Sequence, residues 1–107
     1  MVISRVQVHL IKDNPENKVK AFCDIILDGE FIIKGLVVRE DHEGFSFVTM
    51  PYRMKDDVRL DIAHPITEKC RQYIEKTVLD EYELVLNKIL NSKSKNDEYL
   101  KSMSNRG

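Results

Sequence analysis

The sequence predicts an α+β fold: an antiparallel β-meander sheet of four to five strands packed by one long C-terminal helix. Three observations predict it. Apolar and polar residues alternate through the first half of the chain. An Asp28-Gly29 pair separates two apolar runs, and both positions of such a turn favour positive φ. From Cys70 onward the apolar residues recur in steps of three and four, the spacing of one helix face.

Residues 2–12 form the first strand, with Val6, Val8 and Leu10 on one face and Arg5, Gln7 and His9 on the other. Asp13-Asn14-Pro15-Glu16-Asn17 reads as a turn. Val19, Ala21, Cys23, Ile25 and Leu27 then alternate with Lys18, Lys20 and Asp24. The third strand, Phe31 to Val38, is apolar on both faces, with Phe31, Ile33 and Val37 on one and Ile32, Leu36 and Val38 on the other. Asp41 to Gly44 is a turn, and Phe45 to Met50 a fourth strand stopped by Pro51, which has no N–H for a ladder. Tyr52 to Leu60 reads as a polar loop, and Asp61 to Ile66 as a very short strand ended at Pro65.

Thr67 is the expected N-cap of the helix, with Glu68 in its first turn. Its stripe is Cys70, Tyr73, Ile74, Val78, Tyr82, Val85, Leu86, Ile89 and Leu90. Residues 1–90 make the domain, and residues 91–107 are expected to be a disordered tail or a frayed second helix. The helix stripe should cover one apolar face of the meander. Val8, Ile25, Phe31, Phe47, Ile74 and Val78 are the expected core. One helix cannot cover both faces of the third strand, which points to a symmetric homodimer built on sheet residues or sheet edges.

Composition narrows the function classes. The chain has 107 residues, 42% hydrophobic and 33% charged, the balance of one folded domain. No apolar run approaches the roughly 18 residues of a membrane span, and Arg5, Gln7 and His9 interrupt the N-terminus, so the expected location is cytoplasmic. Cys23 and Cys70 lie far apart and outside any C-x-x-C pair, as buried apolar residues do. The formal net charge is −1, so any binding to nucleic acid must come from a local cluster of cations.

Catalytic chemistry finds little support. Asp61, His64 and Cys70 are the one conceivable base and nucleophile set, but Cys70 sits in the apolar stripe and no oxyanion loop accompanies it. His9 lies on a polar strand face. Asp41-His42-Glu43 could hold a metal weakly and reads better as a solvated turn. Four glycines build no phosphate loop. No cofactor, metal or small-molecule substrate is expected. The candidate site is the stretch after Pro51, where Tyr52, Arg53, Lys55 and Arg59 place three cations and an aromatic ring within eight residues. Asp56 and Asp57 offset two of the charges. The plainer reading is a solvated loop with local ion pairs. Lys93, Lys95, Lys101 and Arg106 add a weak accessory charge in the tail.

The strings Leu27-Asp28-Gly29-Glu30-Phe31-Ile32-Ile33, Phe47-Val48-Thr49-Met50-Pro51 and Asp61-Ile62-Ala63-His64-Pro65-Ile66 resemble the SpoVG family of bacterial regulators. Arg71, Ile74, Val78, Leu79, Glu81 and Tyr82 keep its helix pattern, so the resemblance runs over residues 2–86. It implies a small α+β dimer that binds DNA, and in some members RNA, to control gene expression linked to sporulation, septation and virulence. It also implies that basic residues between the Met-Pro turn and the Asp-Ile-Ala-His string touch nucleic acid. Arg53, Lys55 and Arg59 occupy that stretch. Here the stretch is about one residue shorter than the family's, lacks its glycine, and separates Arg53 from Lys55 by Met54. The expected function is thus a dimeric nucleic-acid-binding regulator. The alternative is a protein-interaction module that keeps the fold without the binding.

Overall fold

The computed structural model describes the backbone of residues 1–12 and 18–104, and side chains as far as residue 90. Four strands pair antiparallel in the order of the chain: β1 (Ile3–Leu10), β2 (Val19–Leu27), β3 (Phe31–Glu40) and β4 (Ser46–Thr49). A separate two-stranded ribbon follows, β5 (Tyr52–Lys55) with β6 (Val58–Asp61). Then comes α1 (Glu68–Ser104). The α+β meander with one covering helix is therefore the fold that forms.

Local chemistry sets the turns. Asp28 and Gly29 both take positive φ, 53° and 67°, and the Leu27 carbonyl accepts the Glu30 N–H at 2.9 Å. Asp28 Oδ1 accepts the Val2 N–H at 3.0 Å, which ties the N-terminus to this turn. Asp41 Oδ1 accepts the N–H groups of Glu43 and Phe45, each at 2.9 Å, and so holds the β3–β4 turn closed. At the helix start, Thr67 Oγ1 accepts the Cys70 N–H at 3.1 Å, the N-cap its sequence position predicts. The expected turn over residues 13–17 lies outside the described residues.

The register of β2 on β3 carries a bulge. Cys23 pairs with Leu36 and Ile25 with Ile33, so Asp24 faces both Lys34 and Gly35. Gly35 has φ +93° and donates its N–H to Asp24 Oδ1 at 3.4 Å. This extra residue shifts the alternation. Ile33, Leu36 and Val38 share the helix-facing side, while Ile32 and Val37 take the other, which corrects the faces expected from simple period two.

The core is Ala21, Cys23, Ile25, Leu36, Val38 and Val48 from the sheet and Met50 just after β4, with Ile74, Val78 and Tyr82 from α1. Ile25, Ile74 and Val78 are buried as expected, and Val8 is half-buried. Phe31 and Phe47 are not core: they are 64% and 45% exposed. Phe31 stands at the strand end beside the Asp28-Gly29 turn. Phe47 neighbours buried Val48 on β4 and therefore points to the opposite face. Two further readings change. Tyr52 to Leu60 is a β-hairpin, not a loop. The segment 62–67 after β6 is not a strand. The backbone of α1 continues past residue 90 without a break. The described helix holds no segment long and apolar enough to cross a membrane.

Candidate nucleic-acid interface

The hairpin owes its form to a two-residue turn. Lys55 pairs with Val58, leaving Asp56 and Asp57 as the connection, with φ 51° and 63°. Positive φ at both positions is the type I′ geometry that matches strand twist, and aspartate tolerates it better than most residues. The two acids that look like a charge penalty in the sequence are thus the residues that close the ribbon.

Pairing fixes which side chains share a face. Tyr52 pairs with Asp61 and Met54 with Arg59; Arg53 pairs with Leu60 and Lys55 with Val58. Alternation therefore puts Tyr52, Met54, Arg59 and Asp61 on one face and Arg53, Lys55, Val58 and Leu60 on the other. All of these except Tyr52 are exposed. The four site residues expected from sequence form two pairs back to back.

The Tyr52 face is tied to the main sheet. The Arg59 guanidinium lies 4.4 Å from the centre of the Tyr52 ring, a cation–π contact. Its Nε also donates to Asp61 Oδ1 at 3.3 Å. The Tyr52 hydroxyl accepts a hydrogen bond from Arg39 Nη2 at 3.1 Å. Arg39 belongs to β3 and lies opposite Phe47. It is a member of this cluster that the sequence alone does not point to, because only the fold brings Arg39 within reach of Tyr52. Arg53 and Lys55 make no ion pair with any described residue, so their charges are free to meet a partner.

The other candidates separate. Asp61 is engaged by Arg59, and His64 Nδ1 lies 3.0 Å from its neighbour's Pro65 carbonyl. His64 and Cys70 both line an apolar cavity of about 120 Å³ together with Met1, Ile33, Met50 and Ile74. No acid is aimed at the pair within it. His42 lies 2.6 Å from Lys18 Nζ, measured at Nδ1, and no cluster of three metal-binding side chains occurs among the described residues. His9 lies 3.5 Å from Asp24. The side chains of Lys93, Lys95, Lys101 and Arg106 lie outside the described residues.

Comparison with known proteins agrees with this fold and its motifs. The SpoVG family model matches residues 1–84. Relatives named as SpoVG septation proteins include one from Clostridium novyi, 39% identical over 81% of this chain and 87% of its own. Another, from Clostridium kluyveri, is 40% identical over 81% of this chain and 88% of its own. A third, from Archaeoglobus fulgidus, is 37% identical over 72% of this chain and 91% of its own. With the family model covering the whole sheet, the hairpin and the helix as far as residue 84, the chain belongs to the SpoVG family.

Proposed function

We propose that the protein is a cytoplasmic, dimeric regulator of gene expression that grips DNA or RNA through the β5–β6 hairpin. It performs no catalytic step and needs no cofactor. The observation that carries this reading is the exposed Arg53–Lys55 face. Two cations two residues apart on one side of a ribbon point the same way and have no acidic partner among the described residues. Phosphates are bound by such unpaired cations, and a narrow ribbon can follow a groove. Arg59 and Tyr52 on the other face position the ribbon and offer a second contact.

Dimerisation doubles the cations and gives the site its strength. Each phosphate neutralised on duplex DNA adds roughly 0.9 to the slope of log affinity against log salt. Replacing Arg53 and Lys55 together by alanine removes up to four contacts per dimer. Affinity for a short mixed-sequence duplex, measured by fluorescence anisotropy, should fall by at least about tenfold with a shallower salt slope. Thermal stability should hold, because both side chains are exposed. Binding as tight as the parent's rejects the hairpin as the site.

A second reading has its own observation. Met54, Val58 and Leu60 are exposed on the same ribbon, at 59%, 57% and 36%. A hairpin with apolar side chains among its cations also suits docking to another protein. Salt separates the two: phosphate binding weakens steeply between roughly 50 and 200 mM, and an apolar protein contact does not.

A further inference from the structure

The face of the four-stranded sheet turned away from α1 is not bare. Ala21 and Cys23 are buried under the helix, so Phe22 between them points the other way. It lies opposite His9 on β1 and Val37 on β3. One step along, Arg39 lies opposite Phe47 on the same face. Phe22 and Phe47 are 49% and 45% exposed. Arg39 reaches the Tyr52 hydroxyl, and Arg59 stacks on the Tyr52 ring. Three aromatic rings and two guanidinium groups therefore share one face, with Phe22 and Phe47 half-exposed around buried Val37 and Thr49, and Tyr52 and Arg39 half-buried beside them. Its acids are Asp24, beside His9, and Asp61, held by Arg59.

We propose that Phe22, Phe47 and Tyr52, with Arg39 and Arg59, form a stacking surface for single-stranded nucleic acid. The proposal extends the nucleic-acid reading above to a second surface and another form of the ligand. Flat rings on an open sheet suit unpaired bases, whose faces are free, and not a duplex, whose bases are stacked on one another. Guanidinium groups beside the rings can stack on bases or meet the backbone phosphates. A second copy of the chain fits this part of the face less well. Arg39, His9, Asp24 and Gln7 interrupt the apolar residues here, whereas the apolar side chains Phe31, Ile62 and Ile66, elsewhere on the chain, are more exposed, at 64%, 67% and 90%. Because cations and acids nearly balance on this surface, binding to it should depend on rings more than on salt.

Anisotropy of the full chain with labelled oligo-uridine and with a mixed-sequence duplex tests this. Each ring lost from a stack weakens binding by about fivefold or more. The F22A/F47A variant should therefore lose at least about 25-fold in affinity for oligo-uridine, with duplex binding unchanged. F22L/F47L, which keeps the apolar bulk and protects the fold, should lose most of the oligo-uridine binding as well, while F22Y/F47Y should retain it. The R53A/K55A variant should show the reverse pattern, weak on duplex and strong on oligo-uridine. Duplex binding by the parent without oligo-uridine binding overturns this proposal and leaves the hairpin reading standing. Unchanged oligo-uridine binding by F22L/F47L overturns it too. So does a fall in its mass by light scattering, which would make the face a protein interface.

Discussion

Cys23 shows how much one position can reveal about its surroundings. Its side chain has no exposed surface. Burial, with a smaller contribution from the Asp24 charge, pushes its thiol up to about 11 from the ordinary 9.0. The folded state thus holds its proton where the unfolded chain has lost it. That preference contributes stability in full below pH 9.0 and is lost as pH rises toward 11. Denaturation midpoints should fall across this window, and Cys23→Ala should flatten the fall. A thiol reagent at pH 8 should label Cys70, which is half-buried, and leave Cys23 untouched until the protein unfolds. Ile74 tests the core itself. It is 6% exposed and packs against the sheet, so Ile74→Ala should cost about 2–4 kcal/mol in chemical denaturation. A loss under about 1 kcal/mol would place Ile74 outside the core.

At the scale of elements, periodicity recovers the meander and the helix stripe, because burial of one face writes its period into the sequence. It misplaces Phe31 and Phe47, because hydrophobicity alone does not tell a core face from an open one. It misses the bulge at Gly35, where one extra residue inverts the faces downstream. It also takes the hairpin for a loop, since Asp56-Asp57 is a weaker turn signal than Asp28-Gly29. The candidate cations were legible from the sequence. Their division into two faces was not, because pairing register decides it. The turn supplies a test of the site. Both of its aspartates have positive φ, so D56N/D57G installs the residues best suited to this geometry while removing two negative charges per chain. Duplex binding should strengthen several-fold at low salt, with the gain shrinking as salt rises. D56A/D57A removes the same charges but strains the turn, and should gain less. Equal gains in the two variants would mean that ribbon geometry does not matter to binding. No gain in either would mean that the charges of the two acids do not oppose binding.

For the molecule as a whole, assembly decides whether so few cations suffice. The chain carries 17 basic and 18 acidic side chains, so it has no strong general attraction to phosphate. In the dimer proposed above, two hairpins would present four cations from Arg53 and Lys55, unpaired among the described residues, with the two Arg59 side chains on the opposite ribbon face. Exposed apolar side chains that a second copy could cover lie near the Asp28-Gly29 end. Met1 and Ile33 line one cavity with Ala63, His64 and Pro65, which places the segment after β6 at this end of the sheet. Phe31 and Ile66 are exposed there, at 64% and 90%. Side chains this exposed do little for the fold of one chain, but their burial between two copies would contribute about 25 cal/mol for each Å² covered. Light scattering at tens of micromolar should therefore give twice the 12.5 kDa chain mass. Truncation after Leu90 should leave that mass doubled, because α1 packs on the sheet through Ile74, Val78 and Tyr82, all N-terminal to the cut. Phe31→Asp with Ile66→Asp should give a folded monomer whose duplex affinity drops and whose salt slope halves. A dimer that survives both charges must be joined elsewhere, with the free edge of β1 next to be tested. A parent chain that is monomeric while binding duplex tightly would mean that a single hairpin suffices.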